Sequence, residues 1–186
     1  MIAGFIILRL RSILGRKTGH ESKVYPNFAE KKFNIPKNDV KPVKQNHEIL
    51  EGKDKKDFLK GAEIAYETIL SSFSAGDTKK LKNLLTDTMN NNFSGAIEAR
   101  NKEQIKSEFT FIGFKESSVE KYEKVKDDLF TTVKFVAEVI SVKKDKDNNI
   151  IEGNPDKIKF VTDTWKFTRN LKNKSPNWYL AEIISQ

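Results

Sequence analysis

From Asp54 onward, apolar residues recur at spacings of three and four: Phe58, Ala62, Ala65, Ile69 and Phe73, with Tyr66 and Leu70 beside them. That period puts an apolar stripe on one face of a helix. The stripe stops at Gly76, a residue free to take the left-handed conformation that closes helices, and Asp77 can cap the next helix through its side-chain oxygen. A second helix is predicted through Leu81, Leu84, Leu85, Met89, Phe93, Ala96 and Ile97 to Arg100. After Ile105 the period shortens toward two, and β-branched and aromatic residues take over. The alternation predicts strands near 108–121, 129–143, 157–170 and 177–184. The links "KDKDNNIIEGNPDK" and "NLKNKSPN" are rich in Asn, Asp, Gly and Pro and read as hairpin loops. Helices first and a strand meander afterwards give an α+β domain, with two or three helices on one face of a curved four-stranded antiparallel sheet. Trp165 and Trp178 flank the second loop and are expected to approach each other on paired strands.

Upstream of Asp54 the pattern is different. Met1 to Leu8 is an apolar run, followed by arginines alternating with Leu10, Ile13 and Leu14. Eight residues fall short of the roughly 20 that a helix needs to cross a hydrocarbon core. No basic region precedes the run and no small-residue cleavage site comes after it, so an ordinary signal peptide is not expected. Two readings remain: a short interfacial helix whose arginines snorkel to phosphate level, or the tail of a longer spanning helix. In both, Arg9, Arg11, Arg16 and Lys17 lie against anionic headgroups. Residues 20–53, with Pro26, Pro36 and Pro42 and no sustained period, read as a flexible linker that holds the domain at 54–186 roughly 30 Å from its anchor.

Charge sharpens this division. The formal net charge is +8, and residues 1–19 contribute half of it with four basic side chains and no acid. Residues 53–186 keep only +3. The basic excess therefore faces an anionic surface at the N-terminal end and leaves no footprint for DNA on the domain. The absence of Cys excludes a disulfide framework, thiol catalysis and cysteine zinc motifs. His20 and His47 both fall before the domain, so a histidine metal site or a Ser/His/Asp triad is not expected, and no cofactor is implied.

Ten of the thirteen Phe fall within residues 54–186, a large apolar volume for two helices to close over, which predicts a pocket beneath them. The ring residues Phe73, Phe93, Phe135, Trp165, Phe167 and Trp178 are its candidate walls, with Arg169 as polar anchor. Each is also a candidate for ordinary core.

The segments "FLKGAEIAYETILSSFSAGDTKKLKNLL", "FSGAIEAR", "VKFVAEVIS" and "DTWKFTRNLKNKSPNWYLAEI" together resemble the C-terminal domain of the mitochondrial inner-membrane translocase subunit forty-four family and its bacterial members. The resemblance covers nearly all of residues 54–186, and "RLRSILGRKTGHE" is similar to the stretch after the membrane helix in bacterial members. It implies a fold of the nuclear-transport-factor-two type, a cone with an apolar pocket. It also implies peripheral binding to the inner membrane and to acidic phospholipid such as cardiolipin, and a scaffold role in protein translocation. By motif, Trp165, Phe167 and Arg169 match the family's Trp-x-Phe-x-Arg strand, Asn177 and Trp178 its closing strand, and Arg100 an Arg at the end of its second helix. The mitochondrial protein contacts chaperone and channel through a long N-terminal region, and residues 1–53 here offer only a short basic stretch and a linker, so chaperone tethering is not expected from the resemblance.

The expected function is therefore a membrane-associated, non-enzymatic adaptor at the cytoplasmic face of a bacterial inner membrane, or the matrix side of a mitochondrial one, with a protein partner. Two alternatives carry their own residues. A pocket isomerase or dehydratase would use Glu138 or Asp163 as a carboxylate of raised pKa, with Tyr66 or Tyr179 as donor. The plainer expectation for these acids is a solvent-facing side chain or a pair with Arg100 or Arg169. A ribosome or RNA tether would use the loop lysines Lys143, Lys144, Lys146, Lys172 and Lys174, a weak footprint beside Asp145 and Asp147.

Overall fold

The computed structural model describes residues 50–184. The predicted anchor at 1–19, with Arg9, Arg11, Arg16 and Lys17, and nearly all of the predicted linker lie outside the described residues. Three helices come first: α1 (Gly52–Ala75), α2 (Thr78–Lys82) and α3 (Asp87–Lys102). Five strands come after them: β1 (Lys106–Val125), β2 (Asp128–Lys144), β3 (Ile150–Gly153), β4 (Lys159–Asn170) and β5 (Tyr179–Ile184). All pair antiparallel in the order β1-β2-β4-β5, and β3 pairs with the far end of β2. The fold is the expected α+β arrangement of helices on a bent antiparallel sheet.

Helix α1 ends as its residues require. Gly76 takes φ 75°, and the Asp77 N–H reaches back to the Ser72 carbonyl at 2.8 Å. Asp77 then accepts the Lys80 N–H at 3.0 Å and starts α2. The predicted second helix is not continuous, however. Its Leu84 carbonyl accepts from Leu180 N–H at 2.8 Å, and Thr86 N–H donates to the Leu180 carbonyl at 3.0 Å. Those groups serve β5, so the chain runs extended past Leu85 before Thr86 caps α3. Periodicity alone could not show this, because Leu81, Leu84 and Leu85 fit a helical stripe equally well.

The sheet also holds one strand more than expected. Within the stretch read as a loop, Asp145 Oδ1 accepts the N–H groups of Asp147 and Asn149, each at 2.9 Å, which reverses the chain. Residues 150–153 then return along β2. Gly153 permits the approach: its φ is 91°, and a Cβ there would lie 2.1 Å from the Ser141 carbonyl oxygen. Strand β1 is longer than predicted. Three register irregularities, between Phe111 and Gly113, Phe114 and Glu116, and Val119 and Lys121, bend it around the helices.

Strands β2 and β4 supply the core. Val133, Phe135, Ala137 and Val139 alternate inward on β2, and Val161, Trp165 and Phe167 on β4. Tyr66 and Ile69 of α1 press onto them, fully buried. The Tyr66 ring lies 4.6 Å from Trp165, 4.7 Å from Phe135 and 5.4 Å from Phe114. Each such ring stabilises the fold by about 2 to 3 kcal/mol through burial.

The expected approach of the two tryptophans is not made. The β4–β5 ladder pairs Trp165 with Ile183 and Thr168 with Tyr179, so Trp165 and Trp178 sit at opposite ends of it. Trp165 belongs to the core, while Trp178 packs edge-on against Phe58 at 4.8 Å.

Candidate partner-binding groove

A groove of about 810 Å³ opens where the first turns of α1, the β1–β2 hairpin and the β4–β5 loop meet. It exists because the stripe of α1 changes character along its length. Toward the C-terminus the stripe carries Tyr66, Ile69 and Phe73, which fill the space against the sheet. One turn earlier it carries Gly61, Ala62 and Ala65, which leave that space empty. Phe167 and Leu129 form the sheet side of the groove, and Leu84 and Trp178 close its flank. Phe58 stands between Phe167, 6.1 Å away edge-on, and Trp178.

Polar groups enter from both sides. Asp54 and Asp57 project from the start of α1, and Asn177 and Arg169 from the sheet side. Arg169 sits opposite Leu129 in the ladder, and its Nε is buried with no acceptor among the described residues.

The ring residues predicted as pocket walls divide between two places. Phe167 and Trp178 line the groove, as does Arg169. Phe135 and Trp165 are in the packed core, and Phe73 and Phe93 meet each other edge-on at 5.2 Å, away from the groove. Arg100 is buried with its guanidinium 5.4 Å from the Phe73 ring centre, and burial lowers its pKa. The groove residues that sequence reasoning missed are Phe58, Leu84, Leu129 and the acids of α1. The small side chains Gly61, Ala62 and Ala65 on one helix face were the available signal for them.

The acids considered for catalysis have other partners. Glu138 pairs with Lys115 at 3.3 Å. Asp163 neither faces solvent nor pairs with Arg100 or Arg169. It is buried, and its Oδ2 accepts the Tyr66 hydroxyl at 2.6 Å. Burial pushes the Asp163 carboxyl up to about 6, opposed in part by the Tyr66 hydrogen bond. Burial, and then the charge of Asp163, raise the Tyr66 phenol well above its ordinary value. Neither residue lines the groove. Tyr179 is half-buried at the start of β5.

Of the lysines considered for RNA, Lys143 and Lys144 lie at the end of β2 and not in a loop. They pair with Glu152 at 2.8 Å and Glu108 at 2.6 Å, and Lys172 pairs with Asp127 at 2.6 Å. Lys146 and Lys174 occupy the exposed turns. Among the described residues, no helix is long and apolar enough to cross a membrane, and no cluster of three or more His, Asp or Glu is placed to hold a metal ion.

A family model described as the Tim44-like domain matches residues 41–185, beginning inside the stretch read as a linker. Two solved structures match part of this chain. The intermembrane space region of the chloroplast protein ARC6 is 14% identical, with 69% of this chain and 97% of that one covered and a TM-score of 0.47. A conserved protein from Planctomyces limnophilus is 12% identical, with 69% and 98% covered and a TM-score of 0.39. No curated protein matches the chain.

Proposed function

We propose, from the premise that this chain belongs to the Tim44-like domain family, that it is a membrane-associated, non-enzymatic adaptor whose groove receives a protein partner. Its setting is the protein-translocation or membrane-protein-handling machinery of a bacterial inner membrane, cytoplasmic face, or the matrix side of a mitochondrial one. The observation that carries this reading is the groove itself. It is walled by Phe58, Phe167 and Trp178, opens between secondary-structure elements, and is lined by neither Asp163 nor Glu138, the acids considered for catalysis. Among the described residues the carboxyl with a raised pKa, Asp163, is engaged by Tyr66 inside the core. An acid held there by a phenol serves packing and not proton transfer to a ligand.

Membrane association is assigned to the basic N-terminal stretch. Near an anionic surface each of Arg9, Arg11, Arg16 and Lys17 contributes roughly 1 kcal/mol of attraction, screened by salt. The domain's own excess of three positive charges is too small to hold it there alone.

The test is co-sedimentation of the full chain with vesicles of neutral lipid or of neutral lipid plus cardiolipin, at low and high salt. A full-length variant with those four basic residues changed to Gln is run beside it. Binding to cardiolipin vesicles that salt reverses, and that the variant loses by at least about tenfold, supports the reading. Equal sedimentation of wild type and variant with the acidic vesicles contradicts it.

A further inference from the structure

The polar groups of the groove are of opposite sign and are not joined to each other. Arg169 brings a guanidinium whose Nε is buried without an acceptor. Asp54 and Asp57 stand on the helix side, and no salt bridge links either to Arg169 among the described residues. A buried N–H with no acceptor is costly, and an arginine fork is shaped for the two oxygens of a carboxylate. The aromatic seat of Phe58, Phe167 and Trp178 lines the same groove.

An occupant must satisfy both ends. An anionic phospholipid headgroup or free phosphate meets Arg169 but is repelled by the two carboxylates that share the groove. A polypeptide carries carboxylates, apolar side chains and N–H or ammonium donors within a few residues of one another, so it meets all three features together.

We infer that the groove recognises a protein segment in which a carboxylate neighbours a bulky apolar side chain. The carboxylate caps the open Arg169 N–H, the apolar side chain rests on the Phe58–Trp178 seat, and a lysine, arginine or backbone N–H of the segment faces Asp54 and Asp57. This deepens the adaptor reading and rests on it.

The test starts from a displayed library of random peptides about a dozen residues long, selected on the full chain. Recovered peptides are then synthesised and titrated against the wild type, Arg169→Ala and Arg169→Lys. Circular dichroism of each variant checks folding. The expected result is enrichment of Asp or Glu beside Leu, Phe or Trp. Arg169→Ala is expected to weaken binding by at least about tenfold, and Arg169→Lys by less. The same peptide with its acid changed to the amide binds wild type and Arg169→Ala alike. Peptides that bind in the groove but respond neither to Arg169 nor to their own acid overturn the carboxylate assignment and leave the adaptor reading standing. Failure to recover any peptide overturns both. If, in that case, vesicles with cardiolipin bearing brominated acyl chains quench tryptophan fluorescence in the wild type but not in Trp178→Phe, the groove belongs to lipid.

Discussion

The Tyr66 hydroxyl donates a 2.6 Å hydrogen bond to Asp163 Oδ2, tying the middle of α1 to β4 across 97 positions of sequence. Asp163 Oδ1 has no partner among the described residues, so the carboxylate is only half satisfied. Its folded pKa of about 6 lies above the roughly 3.9 of an unfolded aspartate. The folded state therefore holds the proton more tightly. Through this group alone, stability is greatest below about pH 4, falls as pH rises through 6, and is level above that. The difference between the two values corresponds to about 3 kcal/mol at most. Asp163→Asn, whose amide oxygen still accepts from Tyr66, is expected to flatten this dependence and to be the more stable protein at neutral pH. Urea unfolding of both proteins across that range checks it, and a wild type that loses no stability relative to Asp163→Asn from pH 5 to pH 7 contradicts it.

Tyr66→Phe acts in the opposite sense. It removes the donor that holds the Asp163 carboxyl down, leaving a buried acid with less to stabilise its charge. A loss of about 2 kcal/mol is expected at neutral pH, with less at pH 5, where Asp163 is mostly protonated. An equal loss at both values would show that the hydroxyl does not act through the charge of Asp163.

The two tryptophans separate core from groove. Trp165→Ala is expected to cost about 3 to 5 kcal/mol, since the ring is fully buried against Tyr66, Phe135 and Phe167. Trp178→Ala, half-buried on Phe58, is expected to cost about 1 kcal/mol and to remove the seat for a bound partner. Thermal unfolding of both variants, with peptide titration of the second, resolves the two roles. Similar stability losses would argue that Trp178 is core as well.

Two glycines with positive φ differ in kind. At Gly76, φ 75°, a Cβ would lie 3.6 Å from Arg100 and Ile97, so Gly76→Ala meets only the left-handed backbone cost of about 1 kcal/mol. At Gly153 a Cβ would fall on the Ser141 carbonyl oxygen, and Gly153→Ala is expected to detach β3 from β2. Hydrogen exchange should show lost protection confined to 150–153 and the facing end of β2. Unchanged protection there would mean that the bend adjusts without cost.

Most of the architecture was legible because it rests on local signals. The three-and-four spacing of α1, its Gly-Asp ending and the alternation of β2 and β4 each arise from which side chains must be buried. The break at Leu84 and Leu85 was not legible, since it depends on hydrogen bonds to Leu180, nearly a hundred residues away. Strand β3 was hidden for a related reason. Ile150 and Ile151 are both exposed, so no inward-outward alternation marks them, and the strand depends on the Asp145 turn. For the candidate site, aromatic content pointed to a cavity but not to its position. The groove is placed by small side chains, at Gly61, Ala62 and Ala65, and ring counting does not register an absence of volume.

Whether the groove is where this protein meets its partner is decided by crosslinking from two positions. A photoreactive benzoylphenylalanine is placed at Asn177, on the groove wall, or at Phe160, exposed on β4 outside it, in the full chain bound to membranes. A partner seated in the groove gives a discrete protein adduct from position 177 that the selected acidic peptide competes away, and none from position 160. An adduct from position 160 alone would refute the assignment, placing the partner on the sheet and leaving the groove without that role.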